Sequence, residues 1–392
     1  MMAQNDFDVL VVGGGLVGAA CALALQDSGL TIALVEAAPP PVAPQGDGWD
    51  SRIYAISPGN AAFLTRLGAW DGLDHARVTT IEAMRVQGDA ANAVLEFNAY
   101  EAAVPALGYL LESRLLQAAL WQRLQQATQV TLYSEVRCQR LDWRDDHVQL
   151  TVQDGRTLRA RLVIGADGGQ SWTRAQAGLS VSSSDYRQLG VVANFATEKP
   201  HHGIAYQWFR EHGALAWLPL PGQRMSMVWS TPVAHAQELL ALSPEALAAE
   251  VALAGGHALG ELQLITTAAA FPLRLQNAEC MIAPRLALAG DAAHLVHPLA
   301  GQGVNLGFHD AACLAEVLTA RGAQADAGAY SLLRRYERAR KADIMAMQVV
   351  TDGLHALFAS ELPGVAGLRN WGMRFTNRQQ WLKRRLMAHA MI

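Results

Sequence analysis

The first forty residues change hydrophobic period twice. Phe7 to Val12 (FDVLVV) is a short apolar run suited to a strand buried on both faces. Glycines break it, and LVGAACALAL then reads as a helix, followed by a second strand, TIALVE, that ends on Glu36. Val9 to Leu25 carries no charge and approaches the length of a membrane span, but Asp6 and Asp8 precede it, no Lys or Arg does, and its glycines are clustered. A strand, turn and helix fit better. Two more apolar runs end at loops, RARLVIGA at Ala166 and RLALAG at Gly290. After Gly303 or Val304, apolar residues recur at helical spacing. In the middle of the chain GVVANFAT, GIAYQWFR, ALAWLPLP and RMSMVWSTP alternate as strands of an antiparallel sheet do.

Composition narrows the class. The 392 residues suffice for two or more domains. Only 17% are charged, against roughly 25% in average soluble domains, which leaves apolar surface for a greasy ligand or partner. A net charge of -4 gives no basis for nucleic-acid binding. Cys21, Cys138, Cys280 and Cys313 are dispersed, which argues against disulfides and zinc knuckles and for a cytoplasmic home.

The first turn carries specific chemistry. Gly13, Gly15 and Gly18 fit G-x-G-x-x-G, in which the glycines permit the tight turn, the approach of a pyrophosphate and close helix packing. Glu36 stands where an acid accepts ribose hydroxyls, which suits FAD or NAD. Arg52 lies in SRIYAIS, Arg114 at the start of a helix, and Asp167 and Gly168 at a later strand end, with Arg174 beyond. Gly290 and Asp291 open GDAAHLVHPLAGQGVNLG. Strand-to-loop junctions so far apart imply one long ligand touched at several strand ends. His294 and His297 are weighed as metal ligands and set aside, because Pro298 and the glycines make a loop and no acid or thiol cluster completes a site. Hydrogen bonding within the loop is expected of His294, and shaping of a pocket of His297.

These segments, with AYQWFREHGALAWLPLP, resemble the FAD-dependent aromatic hydroxylases of the para-hydroxybenzoate hydroxylase type, and within them the ubiquinone-biosynthesis hydroxylases. The resemblance spans nearly the whole chain. It implies an α/β fold: a Rossmann-type FAD-binding domain formed by 1–74, 106–180 and 276–360, an interleaved antiparallel-sheet substrate domain of 75–105 and 181–275, and a basic helical tail, 361–392. It also implies that Gly13, Gly15, Gly18 and Glu36 hold the ADP half of FAD, and that Arg52 and Arg114 belong to the flavin site. Asp167 and Gly168 would serve both FAD and the nicotinamide donor, with Gly290 and Asp291 at the ribityl and phosphate region. Gly301, Gln302, Gly303, Val304 and Asn305 would lie at the ring, where glycines let it rest on backbone and free helix amides stabilise negative charge by about 0.3–1 kcal/mol. Pro219, Phe271, His297 and Pro298 are pocket candidates. The implied reaction is hydroxylation of a polyprenyl phenol in ubiquinone biosynthesis, with NADPH or NADH as reductant, O2 as co-substrate and oxygen passed through the flavin C4a position. A flavin reductase of a prenyl lipid and a non-catalytic FAD-stabilised subunit are the alternatives. No GxSxG, HExxH or Walker pattern competes.

Tyr206, Trp208, Phe209, Trp217, Leu218 and Phe271 are expected near the pocket, with core packing the commoner role for any one of them. Beyond Glu361 six basic residues, Arg369, Arg374, Arg378, Lys383, Arg384 and Arg385, face no acid and mingle with Trp371 and Trp381. Such a tail suits the inner face of an anionic membrane or a partner subunit of a multi-enzyme complex, and equally a packed C-terminal helix.

Overall fold

The strand Phe7–Val12 lies between Ile32–Val35 and Thr157–Gly165, all parallel, with Val130–Tyr133 and Leu286–Leu288 continuing the parallel order outward. Val9, Leu10 and Val11 are fully buried, as a central parallel strand with both faces covered demands. This is seen in a computed structural model that describes residues 6–88, 93–210, 213–296, 303–322, 324–359, 365–379 and 383. The antiparallel strands Cys138–Trp143, Val148–Val152 and Ile282–Ala283 complete an eight-stranded sheet. Helices Leu16–Ala24, Ser113–Gln126 and Gly303–Thr319 pack on it in one apolar core.

A nine-stranded second sheet is built on Val181–Thr197, which pairs antiparallel with both Arg224–Pro232 and Ala269–Ala278. Gly213–Leu220 and Ile204–Arg210 follow in order. The alternation in these segments is met strand for strand, with one difference: Ile204–Arg210 pairs parallel with Ala83–Gln87, because that hairpin arrives from the other end of the chain. Trp208, Trp217 and Trp229 point to the face covered by helices Val233–Ala241 and Pro244–Ala254 and form a second core. A third sheet joins Ile53–Ile56, Gly108–Glu112 and Thr79–Ile81. Thus, among the described residues, only the strands Ala83–Gln87 and Val94–Asn98 of segment 75–105 join the second sheet, and the expected boundary at 276 falls inside the strand Ala269–Ala278.

The C-terminal helix Val365–Arg378 packs against the edge strand Val94–Asn98, where Asn377 accepts from the Glu96 amide at 3.0 Å. Lys383 pairs with Glu101 at 3.1 Å. Arg384 and Arg385 lie outside the described residues. No described helix is long and apolar enough to cross a membrane.

The first turn shows why glycine is required. Gly13 has φ +101°, and a Cβ on Gly18 would stand 1.9 Å from the Gly13 carbonyl oxygen. The helix therefore rests directly on the turn. Gly18→Ala is expected to destabilise the protein by about 3 kcal/mol, the upper end of what overpacking costs, read as a lowered urea midpoint.

Candidate functional site

A cavity of about 1100 Å³ lies between the first and second sheets. Its walls include Val12, Gly13, Gly15 and Val35 from the first strand ends, Ala166 to Gly168 and Ala289 from the later ones, and Ala205, Ala214, Ala216 and Val228 from the second sheet. Ligand sites beyond the carboxyl ends of parallel strands are the rule for such sheets.

At one end the helix Leu16–Ala24 has no side-chain cap, so its first amides stay free, and a Cβ on Gly15 would meet nothing within 4 Å. Glu36 borders the cavity beside it. Its carboxylate accepts from the Gly14 amide at 2.6 Å and the Ala38 amide at 2.8 Å, which fixes the turn and leaves further acceptor sites on the same oxygens. Trp121 donates to the Gly14 carbonyl at 2.7 Å from the helix behind. Gly18 lies off the wall and acts through packing alone.

Arg52 reaches the wall, and Arg114 does not. The Arg114 side chain is 59% exposed and 3.7 Å from Asp50, so it steadies the loop that carries Arg52. The stronger brace on that loop is one that sequence reasoning missed. Glu112, fully buried, accepts from the Asp50 amide at 2.7 Å and from two Arg77 nitrogens at 2.6 and 3.0 Å. Arg77 also donates to the Gly46 and Gly48 carbonyls and lies over the Trp49 ring.

Asp167 is on the wall, with its carboxylate turned into its own loop. It accepts from Ser171 Oγ at 2.5 Å, and from the Thr173 amide and hydroxyl at 2.8 and 2.9 Å. Gly168, at φ +82°, makes the bend. Arg174 is buried and donates to the Gly169 and Ala292 carbonyls, tying this loop to the turn at Asp291.

Asp291 is on the cavity wall and keeps accessible surface there. Burial raises its carboxyl pKa, Asp310 adds to this, and His294 and Arg52 oppose it. Gly290 lies behind the wall at φ +61° and donates its amide to Asp310 at 2.8 Å. His294 finds its partner outside its own loop: Nε2 is 2.6 Å from the same Asp310 oxygen. Arg340 donates to the other oxygen at 2.7 Å. Burial raises the Asp310 pKa, but His294 and Arg340 outweigh it and hold the carboxyl below its ordinary value.

Gly303 and Val304 line the cavity at the start of their helix. Asn305 turns away from it. Its amide donates to the Ala55 carbonyl at 2.8 Å and accepts from the Ser57 amide and Asn60, clamping the helix to the strand that follows Arg52. His297, Pro298, Gly301 and Gln302 lie outside the described residues. On the second sheet Phe271, Tyr206 and Leu218 border the cavity, whereas Pro219, Trp208, Phe209 and Trp217 do not. Strand alternation sends Trp208 and Trp217 into the second core instead, where Tyr206, two positions from Trp208, stacks on it while also contributing to the cavity wall. Among the described residues no cluster of His, Cys, Asp or Glu is arranged to hold a metal ion.

An uncapped helix start at a glycine turn, an acid at the next strand end and a long cavity closed by a second sheet define a dinucleotide-cofactor protein with an attached ligand-binding sheet. The chain belongs to the FAD binding domain family, whose match covers residues 6–351. It is 38% identical over 390 residues to the ubiquinone hydroxylase UbiL of Rhodospirillum rubrum, covering 99% of this chain and 90% of that protein. With the 3-demethoxyubiquinol 3-hydroxylase of Escherichia coli it shares 36% identity over 392 residues, the full length of both. The p-nitrophenol 4-monooxygenase PnpA of Pseudomonas putida superposes with a TM-score of 0.78 at 20% identity over 99% of each chain, a likeness of fold.

A carboxylate whose pKa rises on folding binds its proton more tightly in the native state, so its contribution is present at low pH and lost as pH rises through the folded value. Ionised Asp291 therefore costs the ligand-free protein stability. Asp291→Asn is expected to raise the urea midpoint of the apoprotein at neutral pH, with the gain shrinking as pH falls toward about 3.9, the ordinary aspartate value.

Proposed function

We propose that this chain is a FAD-dependent, NAD(P)H-using monooxygenase that hydroxylates the aromatic ring of a polyprenyl phenol in ubiquinone biosynthesis. The observation that carries the reading is one continuous cavity that begins on the glycine turn and ends on an apolar sheet face. The full-length similarity to two ubiquinone-pathway hydroxylases supports it.

Gly15 and the free amides of helix Leu16–Ala24 would hold the pyrophosphate, and Glu36 the adenosine ribose. Arg52 and Asp291 stand where the ribityl chain would pass, with the Asp167–Gly168 loop beside them. Gly303 and Val304 would place helix amides at the ring. FAD, when bound, would supply the redox chemistry, in which two electrons from NAD(P)H and one O2 put one oxygen atom into a ring C–H bond and release the other as water. The protein's part is to orient the phenol between Phe271, Leu218, Val192 and Val228 and to keep water from it. A polyprenyl tail partitions into lipid, and the helices Tyr330–Ala359 and Val365–Arg378 expose Met345, Val349 and Phe375 alongside Lys341 and Arg374. That surface suits peripheral contact with the inner face of an anionic membrane or with a partner enzyme.

The test is to incubate the FAD-loaded protein with NADH or NADPH, O2 and a polyprenyl phenol, and to follow O2 uptake and product mass. Hydroxylated product in step with O2 uptake is expected; reduction of the prenyl chain without oxygen insertion would replace this reading with a reductase. Because Gly15 faces open space, Gly15→Val is expected to fold normally yet lose stoichiometric yellow flavin. A folded variant that retains it would contradict the placement of the pyrophosphate.

A further inference from the structure

The start of helix Gly303–Thr319 and the turn Gly290–Ala292 both supply cavity wall, and residues 293–302 separate them in sequence. The two backbones meet glycine to glycine. A Cβ on Gly307 would be 3.3 Å from the Gly290 Cα and 2.5 Å from a Val17 methyl, and the same Val17 methyl lies 3.0 Å from a Cβ on Gly290, so neither segment has a side chain of its own there and the contact between them is the non-directional packing of Val17. One turn further along the helix, Asp310 adds direction to that packing. It is fully buried, with one carboxylate oxygen taking both the Gly290 amide and His294 Nε2, and the other taking Arg340 Nε from the helix Tyr330–Ala359.

We infer that Asp310, with His294 and Arg340 as its partners, is a positioning group of the FAD site, holding the Asp291 turn and the amides of Gly303 and Val304 at a fixed separation. The inference rests on the FAD-binding reading above.

The chemistry of the triad supports a geometric task. A buried ion network costs desolvation, and apolar residues of the same volume often stabilise as well or better; what charged hydrogen bonds add is direction. Here three such bonds converge on one carboxylate, two from the stretch that runs from Gly290 to His294 and one from the helix Tyr330–Ala359. With Asp310 ionised, Nε2 donates to it, and Nδ1, also buried, has no hydrogen-bond partner among the described residues. The ring is therefore oriented from one side only, by Asp310. Burial pushes the Cys21 and Cys313 thiols and the Tyr336 phenol up and keeps them neutral, so the charged neighbours of the triad are Asp343, which accepts from Arg340 Nη1 at 2.6 Å, and Asp291. At the other side of the helix start, Asn305 performs the matching task toward Ala55 and Ser57.

The experiment measures FAD binding to the full-length apoprotein by flavin fluorescence quenching, together with the visible circular dichroism of the bound flavin, which reports how the ring is held. Asp310→Asn and His294→Ala are expected to raise the FAD Kd by about tenfold and to change the dichroic band. His294→Gln places an amide N–H near the position of Nε2 and is expected to restore both. Should Asp310→Asn fail to fold, the two His294 variants decide alone. Wild-type Kd and dichroism in His294→Ala, or no recovery in His294→Gln, overturns the inference while wild-type protein still binds FAD. Wild-type protein that takes up no FAD refutes the functional reading itself, and this inference with it.

Discussion

Five parallel strands stop at one level. Val12 is in register with Val35 on one side and Gly165 on the other, Gly165 with Leu288, and Val35 with Tyr133. Around Phe7–Val12 and its neighbours the chain must leave the sheet four times at that level, and each exit needs partners for backbone groups that the ladder no longer satisfies. The exits are the glycine turn, Glu36, the Ala166–Gly168 loop and the Ala289–Asp291 turn, and all of them border the cavity. The last two go on to cross into the second sheet, through Val181–Thr197 and through His294–Leu295, which pairs with Gln276 and Asn277. The site is thus where two sheets share their connections, and its shape follows from how level the strand ends are.

Acids do much of the work of shaping those exits. Glu36, Glu112, Asp167 and Asp310 each accept at least one backbone amide from a loop or turn at the cavity. A carboxylate can take two to four donors at once, so a single side chain can draw amides and cations from segments distant in sequence to one point. Glu112 and Asp310 pay for full burial with arginine partners, Arg77 and Arg340. Removing one member of such a pair leaves an uncompensated buried charge, which typically costs about 3–5 kcal/mol. In a chain with so few charged residues, these internal ones set loop geometry more than they decorate a surface.

What could be read in advance follows the same division. The glycine turn, the strand at Phe7–Val12, the helix start near Gly303 and the middle strands are local patterns, and local patterns were legible. The braces were not, because Glu112 meets Arg77 across 35 positions and Asp310 meets Arg340 across 30. A signal for Asp310 did exist: it falls on the buried stripe with Gly307, Ala311 and Leu314, where helical periodicity calls for an apolar residue. An acid on such a stripe asks for a buried cation. Arg114 and Asn305 show the converse limit. Each lies in a segment that borders the cavity, yet the side chain of one is in solvent and that of the other is spent on the strand behind, and no pattern in sequence reports which way a side chain turns.

The walls of the cavity are chemically unequal. Among the described residues, no charged side chain on them comes from the second sheet: Glu36, Arg137, Asp167 and Asp291 lie in segments at the first sheet, and Arg52 just before the strand Ile53–Ile56 of the third. The second sheet offers Ala205, Ala214, Ala216, Ala269, Val192, Val228, Leu218 and Phe271, with Gln207, Ser230 and Tyr206 as its polar groups. One end is therefore suited to a charged, phosphate-bearing cofactor and the other to a ligand that is largely apolar. Among the described residues the apolar wall lends no strong acid or base to a reacting ring, which suits chemistry carried by a bound cofactor, and what the sheet contributes is orientation and dryness. That division makes the placement of the cofactor, and so the buried bonds that aim the turn and the helix start, the step on which the rest of the reaction depends.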